Sequence, residues 1–372
     1  MSATAIGFIF AWLVAAALIS WVCPERWRTI GVASCGAGLL ACLSPISLAF
    51  LAAGTGVTYF VGRQKERHKL ATVLTIVPIV AIYLLILWLS PADSSGVPSF
   101  LVPLGMSYYV LRLIHYLVES EKGSFRAHTL ADYACYQFLP ATIPVGPIHR
   151  FDQFLKELRR RRWDPDLVSE GASRVLAGAF KIIVLGNFVL NIELASSFEK
   201  LGAGSAALST YLDTIRYWLN IYLQFGGYSD LAIGFGAIMG FHLPENFNWP
   251  FLARNIGQFW RRWHMTLSGW CRDYIYMPVL ATWRKPALAS SAAMVVLGLW
   301  HAVSFHYLIW GLYHATGLIV WRRFDKYTSP LREKLSVPVQ NLWHGAACVL
   351  TLHFVMFSYP VANALEHLVM RR

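Results

Sequence analysis

Two histidine-bearing segments in the second half of the chain carry the residue types that could do chemistry. The first, NIGQFWRRWHMTLSGW at residues 255–270, places Arg261 and Arg262 among tryptophans and follows them with His264. If residues 255–271 form one α-helix, its period puts a single stripe on the apolar face: Trp260, Trp263, His264, Leu267 and Cys271. An interfacial anchor, with Trp and Arg at headgroup level, is the alternative. It explains the arginines and tryptophans, but not a histidine on the apolar face.

The second segment, GLWHAVSFHYLIWGLYH, places His301 near the middle of an apolar run of more than 20 residues. A polar group at that depth needs a partner or a wet cavity, so His301 is a candidate for general acid–base chemistry. A buried structural histidine with both ring nitrogens hydrogen-bonded is the ordinary alternative. His306 and His314 follow at spacings of five and eight, which are not the spacing of helical metal pairs, and no HExxH motif occurs. The pattern therefore favours no metal site.

Polar residues also interrupt the apolar segment 207–241, where QFGGYSDLAIGFGAIMG contains Tyr228 and Asp230. An ionisable side chain near bilayer depth is costly, so we take Asp230 as a candidate functional residue, with Tyr228 beside it. The alternative is that Asp230 caps a helix broken at Ser229-Asp230. The glycines that follow lack the spacing of a nucleotide-binding loop and predict close helix packing.

The elements that must position these residues are membrane helices. Hydrophobic residues make up 56% of the chain and charged residues 14%, which is typical of a membrane protein. The clearest runs of bilayer length are Met1–Val22, Ala71–Ser90 and Ser291–Trp310. The first lacks the features of a signal peptide and predicts a membrane helix. We expect one membrane-embedded domain over 1–372, with peripheral helices in 1–128, a catalytic core in 129–322 and C-terminal helices in 323–372.

The distribution of charge predicts an orientation. A net charge of +12 could indicate nucleic-acid binding, but the basic clusters fall between apolar runs, as in the cytoplasmic loops of membrane proteins. We therefore expect no nucleic-acid partner. Segments 91–99 and 193–206 carry almost no positive charge. If residues 25–28 and 63–69 are cytoplasmic, the stretch 30–61 must cross the membrane outward and then cross back, with a break at Ser44-Pro45. The N-terminus then faces outward.

Segment 129–163 does not suit a straight spanning helix. DYACYQFLPATIPVGPIHRF holds three prolines and a glycine, so we expect broken backbone buried within the bundle or at its cytoplasmic mouth. The next stretch, FDQFLKELRRRRW, has an apolar face at a helical period: Phe151, Phe154, Leu155 and Leu158. That pattern predicts a basic amphipathic helix lying on an anionic inner leaflet.

The chain resembles the membrane-bound O-acyltransferase family. The resemblance is carried by QFGGYSDLAIGFGAIMGFHLPENFNWPFLARNIGQFWRRWHMTLSGWCRDYIYMPV and by LGLWHAVSFHYLIWGLYHA, and it is strong over 222–320. IPVGPIHRF at 143–151 looks like a further family element. Within the family, the chain looks most like the bacterial branch that holds the alginate O-acetylation and teichoic-acid D-alanylation proteins. Its short end after LHFVMFSYP favours the D-alanylation proteins.

The resemblance implies an all-α polytopic bundle of about eleven transmembrane helices with re-entrant and interfacial helices. It implies that His301, in GLWHA, is the essential histidine and would act as general base, and that His264 is the second histidine of this branch. His264 could orient the acceptor, stabilise the oxyanion or hold the tautomer of His301. Family members often have WHG where this chain has His301-Ala302. The residues expected to contact substrate are Tyr228, Asp230, Trp260, Arg261, Arg262 and Trp300.

The resemblance also implies the reaction and its participants. No bound cofactor is expected. The donor would be a cytoplasmic thioester, either acyl-coenzyme A or an acyl group on the phosphopantetheine of a carrier protein. The acyl group, D-alanyl or acetyl, would pass to a hydroxyl of an envelope polymer or partner protein. An extracytoplasmic partner esterase or transferase, contact with membrane lipids and a multi-pass location in the bacterial inner membrane are expected.

Basic residues on the inner face (Arg159–Arg162, Arg261 and Arg262) could attract a phosphate-rich donor, although the usual excess of cytoplasmic positive charge explains the same residues. Two other functions fit part of the pattern. A transporter or flippase of a polymer precursor would also use glycine-broken helices with intramembrane Asp and His, but the sequence shows no internal two-fold repeat. A scaffold for an envelope synthase complex is the other possibility.

Overall fold

The structure of the chain is a computed structural model that describes residues 3–64, 69–89 and 105–370. All regular elements in these ranges are helical. The α-helices, in chain order, are α1 Ala3–Val22, α2 Glu25–Leu43, α3 Pro45–Gly62, α4 Lys69–Leu89, α5 Met106–Glu121, α6 Leu130–Gln137, α7 Phe151–Arg160, α8 Pro165–Ala179, α9 Ala195–Gly202, α10 Ala206–Ile238, α11 Ile256–Trp260, α12 Met265–Cys271, α13 Met277–Trp283, α14 Pro286–His301, α15 Phe305–Arg332, α16 Val337–Met356 and α17 Ser358–Met370. Two π-helical segments, Phe180–Glu193 and Arg272–Tyr276, and two 3₁₀ turns, Pro140–Thr142 and Pro250–Leu252, complete the set.

Within the described ranges, three helices are long and apolar enough to cross a membrane: Pro45–Gly62, Lys69–Ile86 and Pro165–Gly202. A fourth results if α16 and α17, which are bent by 41° at Phe357, form one span. Gly7–Val22 and α14 are shorter apolar helices. The membrane character predicted from composition agrees with these helices, while the count of about eleven spans stays a prediction. The loop 91–99 lies outside the described residues, so the predicted orientation also stays a prediction.

The described chain groups into two compact units. The N-terminal unit comprises Met1–Phe180 and Gly227–Pro244, and the C-terminal unit comprises Lys181–Gly226 and Glu245–Arg372. Because α10 contains residue 226, its first part belongs to the C-terminal unit and its last turns to the N-terminal unit.

The N-terminal unit confirms the predicted break between α2 and α3. Ser44 ends α2 and caps α3, because its hydroxyl accepts a hydrogen bond from the Ser47 N–H, and Pro45 occupies the first helical position. Proline suits that position because the N–H it lacks would have no intrahelical partner there.

The N-terminal unit also confirms that the segment after α6 is irregular and lies inside the protein. Buried residues there include Phe138, Leu139, Ile143 and Ile148. The apolar face of α7 is correctly predicted, but its surroundings are not. Its residues pack into the core formed by α1, α6 and the end of α10, so the face contacts protein rather than a lipid leaflet.

Two predictions about α10 have different outcomes. The alternative in which Asp230 caps a helix broken at Ser229-Asp230 is wrong, because α10 continues without interruption to Ile238. Asp230 therefore caps no helix end. The expectation of close packing is confirmed, because a Cβ on Gly234 would lie 2.6 Å from the Gly171 carbonyl oxygen, and one on Gly171 would lie 2.7 Å from that of Gly234. Glycine at both positions lets α8 and α10 approach backbone to backbone.

Candidate functional site

The candidate site is built in the C-terminal unit on a helical hairpin of α14 and α15. The predicted continuous run Ser291–Trp310 is wrong, because α14 ends at His301 and Ala302 is extended, with φ −162° and ψ 146°. Ser304 then caps α15 by accepting the Tyr307 N–H. A Cβ on Gly298 would lie 2.3 Å from the Tyr307 carbonyl oxygen, so the two helices touch through their backbones just below the tip. His301 therefore lies at the tip of the hairpin and not in mid-span.

Three aromatic rings surround the imidazole of His301. The Trp300 ring centroid is 5.0 Å from that of His301, the Trp310 ring meets it edge to face at 5.5 Å, and the Tyr307 ring stacks on it at 5.4 Å and 24°. The indole N–H of Trp310 donates to the Ser358 hydroxyl at 3.0 Å, which ties this ring to the start of α17. Despite these neighbours, His301 is exposed. The rings fix its position and leave the imidazole accessible to a reactant.

His264 lies at a backbone break of its own. The predicted single helix 255–271 is wrong, because α11 ends at Trp260 and α12 begins at Met265, with His264 in the left-handed region at φ 42° and ψ 54°. The five residues predicted to form the apolar stripe are nevertheless all buried. A non-glycine residue in this conformation costs on the order of 1–2 kcal/mol, so the surrounding structure must hold it there.

Asn246 is the residue that holds this break. Its carbonyl accepts the Met265 N–H at 2.9 Å, and its side-chain oxygen accepts the Thr266 hydroxyl at 2.7 Å. Asn246 is fully buried. The sequence pattern did not single out Asn246, because Glu245 and Asn248 are also polar residues of the short stretch between Pro244 and Pro250.

The two predicted histidines share a neighbour. The Trp300 ring lies 5.7 Å from the His264 ring and 5.0 Å from the His301 ring, so one indole contacts both imidazoles. On its other side, His264 meets the edge of Phe225 at 4.7 Å. The structure thus brings together three of the residues that the sequence proposed: His264, Trp300 and His301.

His314 extends this cluster, although its spacing from His301 in the sequence indicated no particular site. Its ring lies 4.4 Å from Trp310 and 5.1 Å from Trp260, and it has no exposed surface. Among the described residues, neither ring nitrogen of His314 has a hydrogen-bond partner, and the same holds for the buried indole N–H of Trp260. Unsatisfied buried polar atoms are rare in proteins, and they often mark a place for ordered water or a ligand. Trp260 thereby belongs to the cluster through His314.

The remaining predicted site residues are Arg261, Arg262, Tyr228 and Asp230. Arg261 is exposed, and Arg262 donates to the carbonyl oxygens of Asn248 and Trp249, which makes it a support of the preceding loop. Tyr228 and Asp230 belong to the N-terminal unit.

The buried carboxylate of Asp230 is paired within the N-terminal unit. It accepts a hydrogen bond from the guanidinium of Arg174 at 2.8 Å. The pairing with Arg174 therefore offsets part of the cost of burying the Asp230 charge. In the described part of the chain, no cluster of three His, Cys, Asp or Glu residues is arranged to hold a metal ion.

Comparison with known proteins identifies the family. The model of the MBOAT, membrane-bound O-acyltransferase family matches residues 62–369. The chain belongs to this family. Both histidine segments and the whole hairpin lie within the matched region.

Three bacterial proteins are among the relatives of the chain. A probable alginate O-acetylase of Pseudomonas aeruginosa is 33% identical over 244 residues, which cover 62% of this chain and 44% of the relative. A teichoic acid D-alanyltransferase of Bacillus subtilis is 30% identical over 280 residues, covering 69% and 68%. A peptidoglycan O-acetyltransferase of Helicobacter pylori is 27% identical over 296 residues, covering 71% and 54%. The chain spans about half the length of the alginate O-acetylases it matches.

Proposed function

We propose that the chain is a membrane-bound O-acyltransferase that moves an acyl group from a thioester to a hydroxyl, with His301 as general base. The observation that carries this proposal is the accessible imidazole of His301, which lies at the tip of the α14–α15 hairpin within an aromatic frame. Family membership and the names of the three kinds of relatives support the same reaction class.

The chemistry follows from the properties of a hydroxyl, which is a poor nucleophile until its proton is removed. His301 takes the hydroxyl proton while the oxygen attacks the thioester carbonyl, giving a tetrahedral intermediate. The C–S bond then breaks, and the leaving thiolate receives the proton from the imidazolium, so the base is regenerated. A positioned base of this kind contributes ~10²–10⁴-fold in rate.

The position of His301 at the carbonyl end of α14 favours this cycle. The last carbonyls of a helix carry partial negative charge, which stabilises a nearby cation by ~0.3–1 kcal/mol. His301 becomes positively charged only when it holds the hydroxyl proton, so the helix end stabilises the state through which the reaction passes. His264, which contacts the same indole, is the nearest candidate to orient the acceptor or stabilise the oxyanion.

The participants are proposed on chemical grounds. Acetyl and D-alanyl groups are the candidates because relatives are named for both, and a hydroxyl of an envelope polymer is the acceptor that those names suggest. The donor would be acyl-coenzyme A or an acylated carrier protein on the cytoplasmic side, and an extracytoplasmic partner would help deliver the acyl group. In the C-terminal unit, the exposed guanidinium of Arg261 is a candidate contact for donor phosphate. A multi-pass location in the bacterial inner membrane is part of the proposal.

The test uses purified full-length protein in liposomes with labelled acetyl-coenzyme A or a labelled D-alanyl carrier protein, and alginate or teichoic acid oligomers as acceptors. Wild-type protein should form an ester-linked label on the oligomer. His301→Ala should lower this rate by ~10²–10⁴-fold, because only the base is removed. The thermal midpoint should change little, since the His301 side chain is exposed.

His367→Ala is the matched control, because it removes another exposed imidazole of the same unit, on α17. It should transfer acyl groups at the wild-type rate. Normal transfer by His301→Ala would overturn the role of the base. Movement of oligomers across the membrane without any ester formation would instead indicate a transporter.

A further inference from the structure

Two cavities of the N-terminal unit share Arg126 in their linings, and the polar face of α7 borders the smaller one. One, of about 350 Å³, is lined by Arg63, Ser120, Arg126 and His128 among others. The second, of about 90 Å³, is lined by Arg126 again and by residues of α7: Asp152, Leu155, Lys156, Arg159 and Arg160. Arg126 therefore lies between the two cavities and contributes to both. Because the apolar face of α7 packs into the protein core, its basic residues Lys156, Arg159 and Arg160 are directed to the smaller cavity.

The wall of the larger cavity is fixed by hydrogen bonds. Arg63 donates to the Tyr59 hydroxyl at 2.7 Å and to the His128 carbonyl at 3.3 Å. The Nδ1 of His128 lies 2.8 Å from the Arg126 carbonyl, so it must donate, and Nε2 then accepts from the Tyr116 hydroxyl at 2.8 Å. Both ring nitrogens of His128 thus have partners within the wall. Arg159 also donates to the Ala127 carbonyl, which ties α7 to the same loop.

The charges on the two cavities do not balance. Among the described residues, their linings hold five cationic side chains and one carboxylate, that of Asp152, which is already within 3.5 Å of the Lys156 ammonium. Burial also lowers the pKa of His128, aided by the positive charges of Arg63 and Arg159, so this imidazole adds no charge near neutral pH. Cations that line the same cavities repel one another, and an anion bound between them reduces the repulsion.

We infer that these cavities form one binding site for a phosphate ester, with Arg126 as the shared contact. Guanidinium groups match phosphate oxygens in planar, paired geometry, and the larger cavity is roomy enough for a phosphate with its attached polar group. A phospholipid headgroup and the phosphates of a coenzyme A-type donor offer the same chemistry. The inference does not depend on acyl transfer, since it concerns binding at residues outside the histidine cluster.

The test is a set of calorimetric titrations of full-length protein in neutral detergent. The probes are inorganic pyrophosphate, coenzyme A and dihexanoyl phosphatidylglycerol, with zwitterionic dihexanoyl phosphatidylcholine for comparison. Wild-type protein should bind at least one of the three anionic probes, and added salt should weaken the binding. Arg126→Gln should weaken it about fivefold, and Arg126→Gln with Arg160→Gln about 25-fold, as expected for ~1 kcal/mol per cation near a phosphate surface.

Arg26→Gln provides the matched control, because it removes an exposed arginine from the same unit without touching either cavity. Its affinity should equal that of the wild type. Selective loss of phosphatidylglycerol binding identifies a lipid headgroup, and selective loss of coenzyme A binding identifies the donor. The inference fails if no anionic probe binds, if the double variant binds as well as the wild type, or if Arg26→Gln weakens binding equally.

Discussion

His115 of the N-terminal unit and His314 of the C-terminal unit are both buried, but their environments differ. In the N-terminal unit, the His115 Nε2 accepts the Phe151 N–H at 3.0 Å, which fixes the first residue of α7. In the C-terminal unit, His314 is equally buried but is packed among aromatic rings, and no described residue bonds to its nitrogens. His301 is framed by rings as well. An imidazole bonded to backbone is part of the scaffold, whereas one held only by rings keeps its nitrogens available for chemistry.

Arg112 shows how the N-terminal unit uses buried polarity. It is almost fully buried, and its guanidinium donates to the carbonyls of Tyr136 and Gln137 and to the Thr142 hydroxyl. These acceptors lie where α6 ends and the proline-rich segment begins. The last carbonyls of a helix have no intrahelical N–H partners. One arginine thus satisfies two buried carbonyls of the last turn of α6 and one hydroxyl of the 3₁₀ turn that follows. The comparison predicts that polar substitutions in this unit affect folding, and that those around His301 affect rate.

The largest effect is expected for Arg112→Met. It leaves buried carbonyls without donors, and each such group costs about 1–3 kcal/mol. The yield of folded protein in detergent and its thermal midpoint should both fall sharply. Arg112→Lys should restore little of the lost stability, because a single ammonium group cannot donate to all three acceptors as the planar guanidinium does. A stable Arg112→Met protein with impaired acyl transfer would contradict the prediction that polar substitutions in the N-terminal unit affect folding.

Gly298→Ala should have the next largest effect, on rate. The new Cβ would lie 2.3 Å from the Tyr307 carbonyl oxygen, so α14 and α15 must move apart at the hairpin tip. A displacement near 1 Å at a reacting group can cost ~10²-fold in rate. Initial rates of ester formation measure this loss.

Gly269→Ala is the control for this substitution, because it lies on α12 near His264 and a Cβ there meets nothing within 4 Å. It should retain the wild-type rate and gain slightly in stability through helix propensity. Equal rates for the two glycine variants would mean that the hairpin tip does not position the reaction.

The two buried histidines can be compared through the same substitution. His115→Phe removes the acceptor of the buried Phe151 N–H and should cost about 1–3 kcal/mol of stability. His314→Phe removes only atoms that lack protein partners, so its stability should be nearly unchanged. The thermal midpoints of the two variants, measured in the same detergent, compare the two losses of stability. Equal destabilisation would show that His314 is an ordinary structural histidine.

The smallest effect is expected for the Asp230–Arg174 pair of the N-terminal unit. Because the Arg174 side chain is 30% exposed, solvent screens the interaction, and we expect a coupling of about 0.5–1 kcal/mol. A double-mutant cycle of Asp230→Asn and Arg174→Gln on the thermal midpoint measures it. If Asp230→Asn instead raises the KM for donor or acceptor while the cycle shows no coupling, the substrate-binding role expected from the sequence is the better description.

Several local features could be predicted because they depend on neighbouring residues alone. Ser44-Pro45 contains its own cap and helix start, and the prolines of 140–147 exclude a straight helix wherever they lie. The apolar period of α7 identifies a buried face, but it cannot distinguish protein from lipid as the covering medium, because both favour the same side chains.

The sequence by itself determined the membrane character, the family and the two histidine segments, since each depends on residue types and their order. Only the tertiary structure decided where those helices stop. His264 and His301 lie in windows whose periodicity predicts continuous helix, and the chain breaks at both. The reasons are non-local. Asn246 supplies the bonds that hold the break at His264, and the Gly298 backbone packs against Tyr307 to turn the hairpin at His301. Those partners become neighbours only after the chain has folded.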